Sequence, residues 1–468
     1  MVMKRIVLLT AALLVAAGCS PEDITGTWQG TLATAPAKLR VVFNISRQDG
    51  RLTATLDSPD QAVRGVPVAG VEFAQGRLKL DVAAINAGFE GVIENGRLVG
   101  TWRQAGAEFP LELARVQGDL TGRRPQDPLL PLPYRSEDIT FPGPAGTIAG
   151  TLTLPEGDGP FPAALLVSGS GQQNRDQEIF GHRPFLVLAD HLTRRGIAVL
   201  RCDDRGIGGS TGDPTLASSE DFALDAQAAL DRLRAHPEVD AARTGIIGHS
   251  EGALIGAMLA ARDGGPAFLV MLAGPGIPGR ELLPLQGELL MRAGGASEAA
   301  IAANRRLQER LFAKVRQVAE PDALAVELGL TFEEEMAAMD PAARAELAAE
   351  LSPRAVAAQV RALASPWFRF FLEYDPATDI RRIKVPVLAL CGSKDLQVPS
   401  ARNLAAIKAA LEAGQNPDHA VGELPGLNHL FQTAETGHIR EYAATEETFA
   451  LLALETIGGW LEERLLED

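Results

Sequence analysis

Thr244-Gly-Ile-Ile-Gly-His-Ser-Glu-Gly252 joins a β-branched apolar run to a Gly-x-Ser-x-Gly pentad, and the apolar segment Ala253–Ala261 follows at once. This order predicts a strand, a sharp turn and a helix, the setting in which a serine hydroxyl is held up at the edge of a parallel sheet. So tight a turn leaves no room for a Cβ two residues to either side of the serine, which accounts for Gly248 and Gly252. Ser250 itself is expected in a strained conformation, of the kind that clusters at functional sites. A plain glycine-rich turn would need no chemical partners further along the chain.

Such partners are present, in the order acid and then histidine. Val385–Leu390 reads as a buried parallel strand and runs into the polar turn Cys391-Gly-Ser-Lys-Asp-Leu-Gln-Val-Pro399, which carries Asp395. A further strand at about Ala420–Leu424 leads to Pro425-Gly-Leu-Asn-His-Leu-Phe431, which carries His429. All three candidates then lie beyond the carboxyl ends of strands, where open α/β sheets build their sites. A serine hydroxyl needs a base to take its proton, and an imidazole with a pKa of about 6.5 is suited to that task. A buried carboxylate fixes the imidazole's tautomer and steadies its charged form. Of the other histidines, His249 is expected to point away from Ser250 and to pack. His191 and His236 read as surface or satisfied, His182 as a possible pocket residue, and His419 as solvated. Asp203 and Asp204 precede Ser250 and are expected to pair with Arg205 and brace a loop.

With these motifs in hand, residues from about Ser136 to Asp468 resemble the α/β-hydrolase superfamily. More narrowly, they resemble a bacterial esterase-like branch near the serine aminopeptidase and dienelactone-hydrolase-like groups. The matching segments are Ser168-Gly-Ser-Gly-Gln-Gln-Asn-Arg-Asp176, Asp204-Arg-Gly-Ile-Gly-Gly-Ser210, Gly248–Gly252, Gly392–Asp395 and Gly426–His429. The resemblance implies a mostly parallel, doubly wound sheet and a Ser250–His429–Asp395 triad. It also implies an oxyanion hole made by the amide of Glu251 and that of Ser170, with Gly171 as the rival second donor. Losing one such donor typically costs about 3–4 kcal/mol of transition-state stabilisation. The loop opens Ser168-Gly169 where the family commonly has His-Gly, a difference that backbone amides tolerate. The activity implied is hydrolysis of a small-molecule carboxylic ester through an acyl-enzyme, with neither metal nor organic cofactor. An aminopeptidase of the same fold is the alternative. A binding protein acting through its N-terminal domain is a second one.

The ends add context. Lys4 and Arg5 precede the apolar run Ile6–Ala17 and Gly18-Cys19-Ser20. That run is shorter than the about 20 residues that span a bilayer and has the layout of an export signal. Its Ala-Ala-Gly-Cys ending resembles a bacterial lipoprotein signal over residues 1–19, with Cys19 lipidated and anchoring the chain to a membrane of the periplasm or outer membrane. Ala16 stands where leucine is usual, and an ordinary signal peptide, giving a periplasmic or secreted protein, is the alternative. The net charge of −16 speaks against a broad nucleic-acid surface. Cys202 and Cys391 fall at the ends of strands separated by several others, each about 4.8 Å apart, so they are expected as free buried thiols.

Residues 23–117 read differently. Short alternating runs such as Leu39–Ile45, Leu52–Leu56, Leu78–Val82 and Phe109–Leu113 are separated by Asp49-Gly50, Gln75-Gly76, Asn95-Gly96 and Gly106. This pattern predicts a small antiparallel barrel or sandwich of roughly eight strands joined by hairpins. It is a ligand-binding module or a packing module whose Trp28 and Trp102 close the core. Proline-rich residues 118–134 are expected as a linker, and 135–468 as the catalytic domain. Within that domain, the helical stretch at about 276–382 reads as a cap inserted between the sixth and seventh strands. Its aromatics Trp367, Phe368 and Phe371 are candidates for lining the substrate pocket.

Overall fold

The computed structural model describes residues 24–34, 37–48, 50–58, 63–104, 106–116, 124–348 and 353–466, so the signal segment and Cys19 lie outside the described residues. The chain divides into two compact units, Met1–Gly122 and Arg123–Asp468.

The first unit is one antiparallel sheet. Its strands are β1 (Gly26–Thr34), β2 (Ala37–Gln48), β3 (Arg51–Ser58), β4 (Val63–Pro67), β5 (Gly70–Ala74), β6 (Arg77–Val82), β7 (Ala87–Glu94), β8 (Arg97–Gln104) and β9 (Ala107–Val116). They are ordered β4-β3-β2-β1-β9-β8-β7-β6-β5. The two strands at the ends of that order are consecutive in the chain, joined through residues 68 and 69, so the sheet curls upon itself. Gln75-Gly76 and Asn95-Gly96 all have positive φ, the twist that two-residue hairpins require. The alternation of buried and exposed residues in β6 puts Leu78, Leu80 and Val82 inside with Trp28, Phe43, Phe89 and Trp102. The count is nine strands rather than eight, because the segment between β3 and β6 contributes two short ones.

The second unit holds an eight-stranded mixed sheet in the order β10-β11-β13-β12-β14-β15-β16-β17. These strands are β10 (Arg135–Gly143), β11 (Gly146–Leu154), β12 (Phe161–Val167), β13 (Ala198–Cys202), β14 (Val239–His249), β15 (Leu269–Leu272), β16 (Val387–Gly392) and β17 (His419–Leu424). Pairing is antiparallel through β10, β11 and β13 and parallel from there on. Its helices are α1 (Pro184–Thr193), α2 (Ser219–Arg234), α3 (Glu251–Ala260), α4 (Gly279–Ala293), α5 (Glu298–Gln317), α6 (Pro321–Ala338), α7 (Pro341–Ala348), α8 (Pro353–Leu363), α9 (Pro366–Glu373), α10 (Ala377–Ile380), α11 (Ser400–Ala413) and α12 (Leu451–Leu465). α1 packs with α12, while α2, α3, α10 and α11 form a second layer. Central strands are buried on both faces, as β14 to β16 show, and therefore read as continuous apolar runs. The cap, α4–α10, leaves the sheet after β15 and returns at β16. It has its own core, in which Leu307, Leu311 and Val315 of α5 meet Leu324, Leu328, Phe368 and Leu372.

The proline-rich stretch departs from the expected linker in its described part, 124–134. Its prolines offer no amide protons, and polar side chains tie it to the second unit instead. The Arg124 guanidinium donates to the carbonyls of Phe180, Ala443 and Thr445. Asp127 pairs with Arg183 at 2.6 Å, and the Tyr134 hydroxyl donates to Asp190 at 2.8 Å.

The turn from β14 into α3 is built on bare backbone. A Cβ on Gly248 would come 2.1 Å from the Gly252 carbonyl oxygen, and one on Gly252 would come 2.1 Å from that of Val167. Gly252→Ala should therefore destabilise the second unit by about 2 kcal/mol or more, since rigid backbone lines the overlap. Gly459→Ala, in an exposed position of α12 with nothing within 4 Å, should stabilise it by about 0.5–1 kcal/mol. Urea midpoints of the two variants test the pair, and equal midpoints would contradict it.

Candidate active site

Ser250 sits between β14 and α3 with φ 55° and ψ −118°, a conformation that L-residues rarely hold. Its amide donates to the Leu272 carbonyl of β15 at 2.8 Å, which pins the turn to the neighbouring strand. Asp395 lies just past β16 and His429 just past β17, on the same edge of the sheet. The His429 Nδ1 is 2.8 Å from Asp395 Oδ2, and both residues are buried. A carboxylate only accepts, so Nδ1 carries the proton and Nε2 presents its lone pair. The other oxygen of Asp395 accepts from the amides of Gln397 and Val398, each at 2.8 Å. The histidine loop is itself fixed, because Asn428 Oδ1 accepts from the amides of Leu430 and Gln432.

His249 packs as expected but also has a task that its position in the sequence did not reveal. Its Nε2 lies 2.8 Å from the His429 carbonyl oxygen and its Nδ1 2.8 Å from Gln177 Nε2. A carbonyl can only accept, so Nε2 is the protonated nitrogen and Gln177 donates to the other. Burial, with the neighbouring His429, pushes the imidazole down to about 3, which keeps it neutral. Gln177 and His249 thus fix the backbone that carries His429.

Glu251 provides the first amide of α3, which has no carbonyl one turn back to bond within the helix. Neither Ser170 nor Gly171 donates its amide to any carbonyl or side chain among the described residues, so both remain available as the second donor. Gly169 lies against the serine, and a Cβ there would come 3.1 Å from that of Ser250. The loop is staked to the one after β13. Asp204 accepts from the Ser168 hydroxyl at 2.9 Å and the Gln173 amide at 2.8 Å, and returns its own amide to the Gln173 carbonyl. Asp203 takes the Arg175 guanidinium at 2.7 Å and the Arg175 amide at 2.8 Å. The two aspartates do brace a loop, but not by pairing with Arg205, which is held by Asp225 of α2 at 2.7 Å.

A cavity of about 470 Å³ begins at this loop. Ser168–Gln172, Asp204, Glu251, Phe222, Ile255 and Trp367 are among its lining residues. Of the three aromatics expected in the pocket, Trp367 lines it. Phe368 belongs to the cap core against Phe312, with ring centroids 5.6 Å apart, and Phe371 stacks on the indole of Trp367 at 5.3 Å. The difference follows from helical geometry, since one face of α9 must serve the cap's own core. His182, fully buried, bonds the Thr448 hydroxyl and the Tyr442 carbonyl and is not among the cavity's lining residues. Cys202 and Cys391 are free thiols, Cys391 buried and Cys202 partly so.

The Glu251 carboxyl is a further residue that the sequence did not flag. It is 3% exposed, and its Oε1 accepts from the Ser219 hydroxyl at 2.6 Å and the Trp367 indole at 2.7 Å. This links the cap to the residue that follows the serine. The Ser218/Asp221 capping box announces where α2 begins, but nothing local announces that Ser219 faces α3.

Residues 164–441 match the description "Alpha/beta hydrolase family". The chain belongs to that family. Among curated relatives, the hydrolase is similar to Esterase EstD of Thermotoga maritima, 28% identical over 268 residues that make up 57% of this chain and 54% of that one. It is also similar to Esterase FrsA of Enterobacter sp. strain 638, 30% identical over 35% of this chain and 37% of that one. The chain thus spans about half the length, or less, of these relatives. Among solved structures, an esterase of Pyrococcus furiosus is 16% identical, covers 75% of this chain and 97% of its own, and superposes with a TM-score of 0.43.

If the Asp395–His429 bond sets the tautomer and the pair serves catalysis, Asp395→Asn should leave the fold intact and lower kcat by about 10³–10⁴-fold on whichever substrate the wild type turns over. Near-UV circular dichroism and steady-state rates test this. A folded Asp395→Asn enzyme with unchanged kcat would contradict it.

Proposed function

We propose that the chain is an exported serine hydrolase that cleaves small carboxylic esters by a two-step acyl-enzyme route. The observation that carries this reading is the buried Asp395–His429 pair on the same sheet edge as a serine held at φ 55°. Ser250 attacks the ester carbonyl while Nε2 of His429 takes its proton. The amide of Glu251, with that of Ser170 or Gly171, stabilises the negative oxygen that develops. His429 then gives its proton to the departing alkoxide and alcohol leaves. A water molecule, deprotonated by the same imidazole, repeats the sequence on the acyl-serine and releases the acid. Asp395 keeps the ring oriented and steadies its charged form throughout. The names of the curated relatives favour ester over amide substrates.

Ser250→Ala should abolish both ester hydrolysis and labelling by a fluorophosphonate while the fold persists. Stoichiometric labelling of the alanine variant would refute the assignment of the nucleophile. Comparing p-nitrophenyl esters with aminoacyl anilides separates esterase from aminopeptidase, and the esterase reading predicts much the faster turnover on esters. Export with lipidation is the second half of the proposal and rests on the Lys4–Ser20 signal. In a bacterial host, radiolabelled palmitate should enter the wild-type chain but not Cys19→Ala. Equal incorporation in both would exclude Cys19 as the anchor.

A further inference from the structure

From the charge and walls of the cavity beside Ser250 we infer that it is the acyl pocket, and that it selects acyl groups ending in an ammonium. The inference rests on the ester-hydrolase reading and extends it to substrate class. His429 must hand a proton to the departing alkoxide, so the alcohol side of the substrate lies toward the imidazole. The cavity is lined by Ser168–Gln172 and by Glu251, the residue after the serine, while Ser250, His429 and Asp395 are not among its lining residues. It is therefore placed to receive the other arm, the acyl group. Its floor is apolar, with Leu165, Phe222, Ala226 and Ile255, which suits a methylene chain.

The ionisable groups on its walls do not cancel. Arg205 is matched by Asp225 at 2.7 Å, and Asp203 by Arg175 at 2.7 Å. Asp204 and Glu251 remain, and among the described residues neither is in an ion pair. Burial pushes the Asp204 carboxyl up to about 7, helped by the nearby charges of Glu251 and Asp203, and burial raises Glu251 as well. Two carboxyls line one cavity without a counter-ion among the described residues. Glu251 is 3% exposed, and while its Oε1 accepts from Ser219 and Trp367, none of the described residues donates to Oε2. Trp367 supplies a second, independent element. Phe371 stacks on one face of the indole at 5.3 Å, and Trp367 also lines the cavity. Both carboxyls are raised by burial with no cation paired to them among the described residues, so an ammonium entering the cavity would favour their ionised forms and gain charge-assisted hydrogen bonds, with the Trp367 ring beside it for cation–π attraction. The same walls offer a carboxylate no cation outside an ion pair among the described residues, and a terminal methyl gains nothing from their polar groups.

The test uses the full-length enzyme and three phenyl esters of matched length: phenyl heptanoate, phenyl 6-aminohexanoate and phenyl hydrogen adipate. The kcat/KM of the ammonium ester should exceed that of each of the other two at least tenfold. Glu251→Gln and Asp204→Asn, which remove charge but keep shape, should each shrink that preference at least fivefold. A flat or reversed order in the wild type overturns the inference without reference to any variant. So does a preference that survives both substitutions. Phenyl acetate, whose acyl group has no chain and no terminal charge, separates the two levels of the argument. If it is cleaved while the charge order is flat, only the ammonium selectivity falls. If Ser250 cleaves none of the four esters, the ester-hydrolase reading falls and the selectivity with it.

Discussion

The second unit depends on one constraint, the passage of backbone against backbone where β14 turns into α3. The Val167 carbonyl and the Gly252 Cα come so close that no side chain fits between them. That approach packs α3 hard against the sheet and forces Ser250 into its positive-φ conformation. Gly169 of the loop of candidate oxyanion donors also lies against the serine, where a Cβ would come 3.1 Å from that of Ser250. Strain at Ser250 persists because the surrounding contacts over-determine it: the amide bond to Leu272, the buried helix beyond, and the loop above.

Around this turn the polar groups form connected chains and not isolated pairs. One runs from Gln177 through His249 to the backbone of His429, and from His429 to Asp395 and the amides of Gln397 and Val398. Another runs from Ser219 through Glu251 to Trp367 of the cap. Neutral His249 suits its place, because a charged imidazole there would oppose any positive charge on the His429 ring beside it. The second chain ties the cap directly to the residue that follows Ser250.

Much of this was legible in the sequence, for a physical reason. The elbow, the acid turn and the histidine loop are local motifs whose glycines and polar residues answer local backbone demands. The alternating runs before Val116 likewise announce a sheet, and Gln75-Gly76 and Asn95-Gly96 announce its hairpins. What could not be read depends on which distant side chains meet. Arg205 has acids beside it in sequence, yet the fold offers it Asp225 from α2. Phe368 and Trp367 are neighbours in sequence, but the turn of α9 sends one into the cap core and the other to the cavity. Proline-rich residues 124–134 have the composition of a linker, and only the carbonyls of Phe180, Ala443 and Thr445 show where Arg124 anchors them.

The central claim is that chemistry passes through an ester bond to Ser250. Mixing the enzyme with phenyl acetate, quenching in acid within the first turnover and mapping peptides by mass spectrometry tests it directly. The account predicts one acetyl group, carried by the peptide that contains Ser250 after phenol has left, and released from it as acetate when water attacks. Phenyl acetate consumed with no acetylated intermediate, or with the acetyl group on another residue, would contradict it.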